Sequence, residues 1–86
     1  MNHYLISYEL RDPEFDYEPL YTALHTIEAK HIHDSVWGVN TRSSAQVLFE
    51  YLWCCVRAKS DRLFVVTFDK TRDYKAGHSI TELKDL

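Results

Sequence analysis

Apolar and polar positions change rhythm several times along this chain, and each change marks an element. Tyr4, Ile6 and Tyr8 alternate with Leu5, Ser7 and Glu9. Alternation with apolar residues on both sides predicts a central β-strand over residues 3–10. The strand closes on a lone carboxylate, Glu9, and an acidic loop follows, Asp12-Pro13-Glu14-Phe15-Asp16. Asp16 suits an N-cap, and Glu18 suits the positive end of a helix dipole. Pro19 falls in the first turn, where a missing N–H costs little. Leu20, Ala23, Leu24 and Ile27 follow the i, i+3, i+4, i+7 spacing, so a helix over about 17–28 buries that stripe.

Residues 30–40 are β-branched and aromatic with no helical period. They read as one long strand or as two short strands hinged at Asp34-Ser35. Gly38 suggests a bulge or a close backbone approach. Thr41 to Ser44 form a second capping cluster. The helix expected over about 45–58 presents Val47, Leu48, Tyr51, Leu52, Cys55 and Val56 on one face. Arg62 to Phe68 is nearly all apolar or β-branched and predicts another central strand. From Asp69 on the chain is charged, and Ser79-Ile80-Thr81-Glu82 matches a capping box for a short terminal helical turn.

The order is strand, helix, one or two strands, helix, strand and tail. It predicts a single α+β domain over 1–86, with its core over about 3–68 and a tail over 69–86. Two helices on one face of an antiparallel sheet make the ferredoxin-like βαββαβ sandwich. The other face then lacks a helix.

Composition sharpens that point. Of 86 residues, 45% are hydrophobic and 14% aromatic, including six Tyr, four Phe and two Trp. Two small layers cannot hide every ring, so the helix-free face is expected to be covered by a second copy. No apolar run reaches membrane-spanning length. Met1-Asn2-His3 does not open a signal peptide. The two cysteines are adjacent, Cys54 and Cys55, and read as reduced thiols of a cytoplasmic protein.

Net charge is −3 but uneven. Five acids lie in the first 18 residues. Seven of ten basic residues follow position 56: Arg57, Lys59, Arg62, Lys70, Arg72, Lys75 and Lys84. Arg57, Lys59 and Arg62 surround the expected end of the second helix. They suit either its dipole or a phosphate-contacting patch. Trp37, beside Tyr4 or Tyr8, suits either packing in a dimer core or stacking on bases. Trp53 lies opposite its helix's apolar stripe and, with the tail, is a candidate anchor for a protein partner. His31 and His33 would share a strand face, as edge residues, as ligands of a transition metal or as an acid–base pair for RNA cleavage, with His33 the catalytic candidate.

Tyr4-Leu5-Ile6-Ser7-Tyr8-Glu9-Leu10, Asp16-Tyr17-Glu18-Pro19-Leu20, Asp34-Ser35-Val36-Trp37-Gly38-Val39 and Leu63-Phe64-Val65-Val66 occur in this order. In that order the chain resembles the SinR-like proteins, small bacterial and phage proteins. Their fold is related to the small ferredoxin-like subunit of CRISPR spacer acquisition and to virulence-associated protein D. The resemblance implies a homodimer with C-terminal segments crossing between subunits, association with nucleic acid, and metal-dependent nuclease or toxin chemistry. In those relatives an Asp ends the first strand as a proposed metal ligand. Here that position is Glu9. By this resemblance Glu9 and its mate in a dimer would hold Mg²⁺ or Mn²⁺, assisted by Asp12, and activate water for phosphodiester attack. The competing reading of Glu9 is a solvated strand end, and the competing function is a non-catalytic dimeric interaction module.

Overall fold

The alternating first strand lies inside the sheet, as its two apolar sides require. A computed structural model describes residues 2–69, 77 and 79–81. Its elements are β1 (Asn2–Glu9), α1 (Glu18–Thr26), β2 (Lys30–His33), β3 (Val36–Thr41), α2 (Ala45–Trp53) and β4 (Arg62–Thr67). The strands form one antiparallel sheet in the order β2-β3-β1-β4. Among the described residues this is a small α+β body of four strands and two helices, compatible with a ferredoxin-like type of fold. Among the described residues no helix is long and apolar enough to cross a membrane.

One sheet face carries the core. Tyr4, Ile6 and Tyr8 of β1, with Trp37 and Val39 of β3, meet Leu20, Ala23 and Leu24 of α1 and Leu48 and Leu52 of α2. Leu63 and Val65 of β4 pack against the same cluster. Register places Leu5 opposite Val66, Ser7 opposite Phe64 and Glu9 opposite Arg62, on the face away from the helices. There Phe64 is 53% and Val66 44% exposed.

The expectation that β4 is central is therefore corrected. It is the edge strand beside β1. Its continuous apolar sequence reflects two different faces, with Leu63 and Val65 toward the core and Phe64 and Val66 toward the bare side. The 30–40 segment resolves into a hairpin, β2 and β3, turning at Asp34-Ser35. Of the two readings of Gly38, a bulge or a close backbone approach, the bulge falls instead between His31 and His33, while Gly38 is buried opposite Leu5.

Helix α1 buries its predicted stripe but is shorter than expected. Asp16 Oδ1 accepts from the Glu18 N–H at 3.0 Å, although the cap position itself is Tyr17. At the other end Ala29 N–H donates to the Leu24 carbonyl and Glu28 N–H to the His25 carbonyl, both at 3.0 Å. This is a Schellman closure, and its left-handed residue is Glu28, at φ 59°. A side chain there is strained, so Glu28→Gly should stabilise the fold by about 0.5–1 kcal/mol. A higher urea midpoint at unchanged slope checks it.

Helix α2 starts as predicted, with Ser44 Oγ accepting from the Val47 N–H at 3.2 Å. It stops at Trp53 rather than running on to residue 58. Cys55 N–H and Val56 N–H bond three residues back, which tightens the last turn. Its buried line is Leu48, Leu52 and Val56, while Val47 is 56% and Tyr51 40% exposed. The predicted face was thus rotated: Tyr51 lies toward α1, its hydroxyl 3.5 Å from the Ala23 carbonyl. The terminal turn expected over Ser79–Glu82 lies partly outside the described residues. So do Lys70, Arg72, Lys75, Lys84 and most of the tail considered as a partner anchor. Within the described part, Ile80 N–H donates to the Ile32 carbonyl of β2 at 2.8 Å.

Candidate functional site at the tip of the first strand

The end of β1, the loop after it and the loop before β4 meet at one end of the sheet, because Glu9 pairs with Arg62 across β1 and β4. What fastens them is a residue the sequence reading passed over. Asp61 is only 5% exposed, the one buried charged side chain among the described residues. Its Oδ1 accepts from Arg11 N–H at 2.7 Å, and its Oδ2 from Arg57 N–H and the Tyr17 hydroxyl, both at 2.7 Å. Ser60 Oγ adds a longer contact at 3.3 Å. The Tyr17 hydroxyl in turn accepts from Asp12 N–H at 3.2 Å. Asp61 therefore ties the β1–α1 loop to the α2–β4 loop across a sequence gap of about fifty residues.

Burial alone would raise the Asp61 pKa. Its hydrogen bonds from Tyr17, Arg11, Arg57 and Ser60 outweigh burial and hold it below the usual carboxylate range. Burial and the Asp61 contact push the Tyr17 phenol up. No sequence motif marks Asp61. In sequence it reads only as the polar end of a turn before a strand.

Glu9, the principal candidate, is half-exposed and sits between two guanidiniums. Arg11 Nε is 3.8 Å from one carboxylate oxygen and Arg62 Nη1 3.4 Å from the other. Asp12 pairs with Arg57 at 3.4 Å and accepts from Glu14 N–H at 3.0 Å. The cations expected to serve the α2 dipole do not. The helix ends at Trp53 with no basic residue in its last turn. Arg57 and Arg62 instead face the acids of the strand tip, and Arg57 also lies 6.0 Å from the Phe15 ring centroid. Lys59 is exposed in the turn between them.

The histidines separate. His31 stacks on Trp37 at 4.3 Å and 10°, with Nε2 3.1 Å from the Asp34 carbonyl. His33 lies past the bulge, exposed, in a shallow cavity of about 450 Å³ with Asp34, Ser79 and Ile80. Their presumed shared face is broken by that register shift. His33 and Glu9 stand at the same end of the sheet with β3 between their strands, a separation of roughly 10 Å at ordinary strand spacing.

Trp37 offers no platform for a base. It is 5% exposed, covered by His31 on one ring face, edged by His25 at 5.7 Å, and donates to the Tyr8 hydroxyl at 2.9 Å. Base stacking and dimer-core packing are thereby both corrected: Trp37 packs in the core of its own chain, on the helix-covered face. Burial raises the Tyr8 phenol's pKa, which keeps it neutral as that bond's acceptor. Trp53 is half-buried, stacked on Phe49 at 5.3 Å and packed against the core, not freely exposed.

Chemically, the strand tip is a rigid junction with an outer layer of exchangeable ion pairs. Among the described residues no three His, Cys, Asp or Glu side chains converge as a metal-binding group. No protein-family model and no curated protein matches the chain.

Proposed function

We propose that the chain is a ferredoxin-like homodimer working as a non-catalytic interaction module, with the helix-free sheet face as the surface on which two copies meet. The observation that carries this reading is the exposure of Phe64 and Val66 beside Leu5 on that face. Phe64 and Val66 alternate with the core-facing residues of β4, which among the described residues pairs on one side only, with β1, so its other edge adds a second route to association. The same face ends in Glu9 and Arg62, one acid and one base. A two-fold axis can therefore match each charge with its opposite on the other copy. Light scattering at micromolar concentration should give about twice the 10.2 kDa of one chain. A mass of one chain would refute the reading.

A second reading rests on the arginines of the strand tip and on the resemblance to the SinR-like proteins. Side chains of Arg62, Arg11 and Arg57 are 70%, 51% and 47% exposed and stand together at one end of the sheet. With Lys59 they suit contacts to phosphate. In its catalytic form, this reading has Glu9 leave its arginines and bind Mg²⁺ or Mn²⁺ with its mate in the dimer, assisted by Asp12 or His33. The interaction-module reading predicts no metal-dependent cleavage of labelled RNA or DNA by the wild type or by Glu9→Ala. Manganese-dependent cleavage that falls by about a hundredfold or more in Glu9→Ala would establish the nuclease instead.

A further inference from the structure

We propose that Cys54 and Cys55 form a two-thiolate binding site for a soft d¹⁰ metal ion, of the zinc or cuprous copper class, on the groove between α1 and α2. The two Sγ atoms lie 3.9 Å apart. A tetrahedral ion with metal–sulfur bonds near 2.3 Å sets two of its sulfur ligands about 3.8 Å apart. Adjacent residues in a continuing helix would diverge. Here α2 ends at Cys54, its C-cap, and the chain turns. Both sulfurs thereby lie by the Tyr51 carbonyl, at 3.1 and 3.9 Å.

The pair is accessible. Cys54 is exposed and Cys55 partly so. Both line a groove of about 470 Å³ with Asp16, Glu18, Thr22 and Tyr51, whose two carboxylates favour an arriving cation. A disulfide is the weaker use of these atoms. Joined by a trans peptide, neighbouring Cα atoms are about 3.8 Å apart, short of the 4.4–6.8 Å that disulfides ordinarily span. Burial and the Cys54 thiol beside it push the Cys55 thiol up. Binding must then release protons. No third described side chain of the ligand types joins them, so the other positions on the ion are open to water or to a ligand in the groove.

Titrating the full chain with cadmium, anaerobically and under a phosphine reductant, tests this. Cadmium–thiolate binding shows an ultraviolet charge-transfer band. One ion per cysteine pair is expected, with proton release in weakly buffered solution. Cys54→Ser and Cys55→Ser should each weaken binding by at least about tenfold, because the second thiolate binds as an intramolecular ligand. Cys54→Ser is safe for folding, since that side chain is exposed, and circular dichroism checks both variants. No band in the wild type, or a smaller loss in Cys54→Ser, marks independent thiols and overturns the site.

Discussion

Asp61→Ala should be the most damaging single truncation at the strand tip, lowering stability by about 2–3 kcal/mol and Tm by roughly 10–20 °C. The carboxylate is buried and receives two backbone N–H groups and a phenol. Removing it takes away the acceptor of the Arg11 and Arg57 N–H groups and of the Tyr17 hydroxyl at a part-buried loop junction. Asp61→Asn keeps one carbonyl acceptor but turns an NH₂ toward donors, so its loss should be intermediate. Tyr17→Phe removes one donor of several and should cost less than either.

The same residue makes stability depend on pH at the acid end. Its folded-state pKa is depressed, so its contribution is fully present above the unfolded aspartate value of about 3.9. That contribution is lost as pH falls through the lower folded value. Urea midpoints of wild type and Asp61→Asn should therefore differ most near neutrality and draw together in acid. Parallel curves down to the lowest pH at which the fold survives would contradict the role given to Asp61.

Phe64→Glu should weaken self-association by about a hundredfold or more while leaving the subunit folded. Phe64 is already 53% exposed in the single chain, so the substitution breaks no core contact. In a two-fold interface the change appears twice, and each copy would bury a carboxylate with no new partner. Val66→Lys should act the same way from the neighbouring row. Concentration-dependent mass from sedimentation equilibrium reads both. An unchanged dissociation constant in Phe64→Glu would remove this face from the interface.

The sequence carried the fold's element order because its rhythms are local. Tyr4-Leu5-Ile6-Ser7-Tyr8 can satisfy a two-residue period only as a strand inside the sheet. Leu20, Ala23, Leu24 and Ile27 can share a face only as a helix. What periodicity cannot report is which neighbour a strand acquires. Leu63 to Val66 looks the same whether its second apolar face meets a helix, another strand or a second chain, and β4 proved to be an edge. Helix α2 was misjudged at its end because no Gly or Pro announces the stop. Cys55 and Val56 bond three residues back, and the Arg57 N–H turns to Asp61, four residues on.

The site was less legible than the fold. Glu9 was found because a lone carboxylate at a strand tip stands out from apolar neighbours. Its two arginines come from different parts of the chain, one two residues on and one fifty-three residues away. Asp61 gave no signal, since its role depends on the Arg11 N–H and the Tyr17 hydroxyl, which only the fold brings to it. Trp37 was ambiguous in sequence because an aromatic on a strand serves equally for packing or for binding. The stack with His31 and the bond to Tyr8 decide it.

A dimer of labelled and unlabelled chains, read by isotope-filtered nuclear Overhauser spectroscopy, puts the paired-face claim to its most direct test. The account predicts intermolecular contacts from the Phe64 ring to the Leu5 and Val66 methyl groups of the other copy. A spectrum in which Phe64 shows only contacts within its own chain would contradict it.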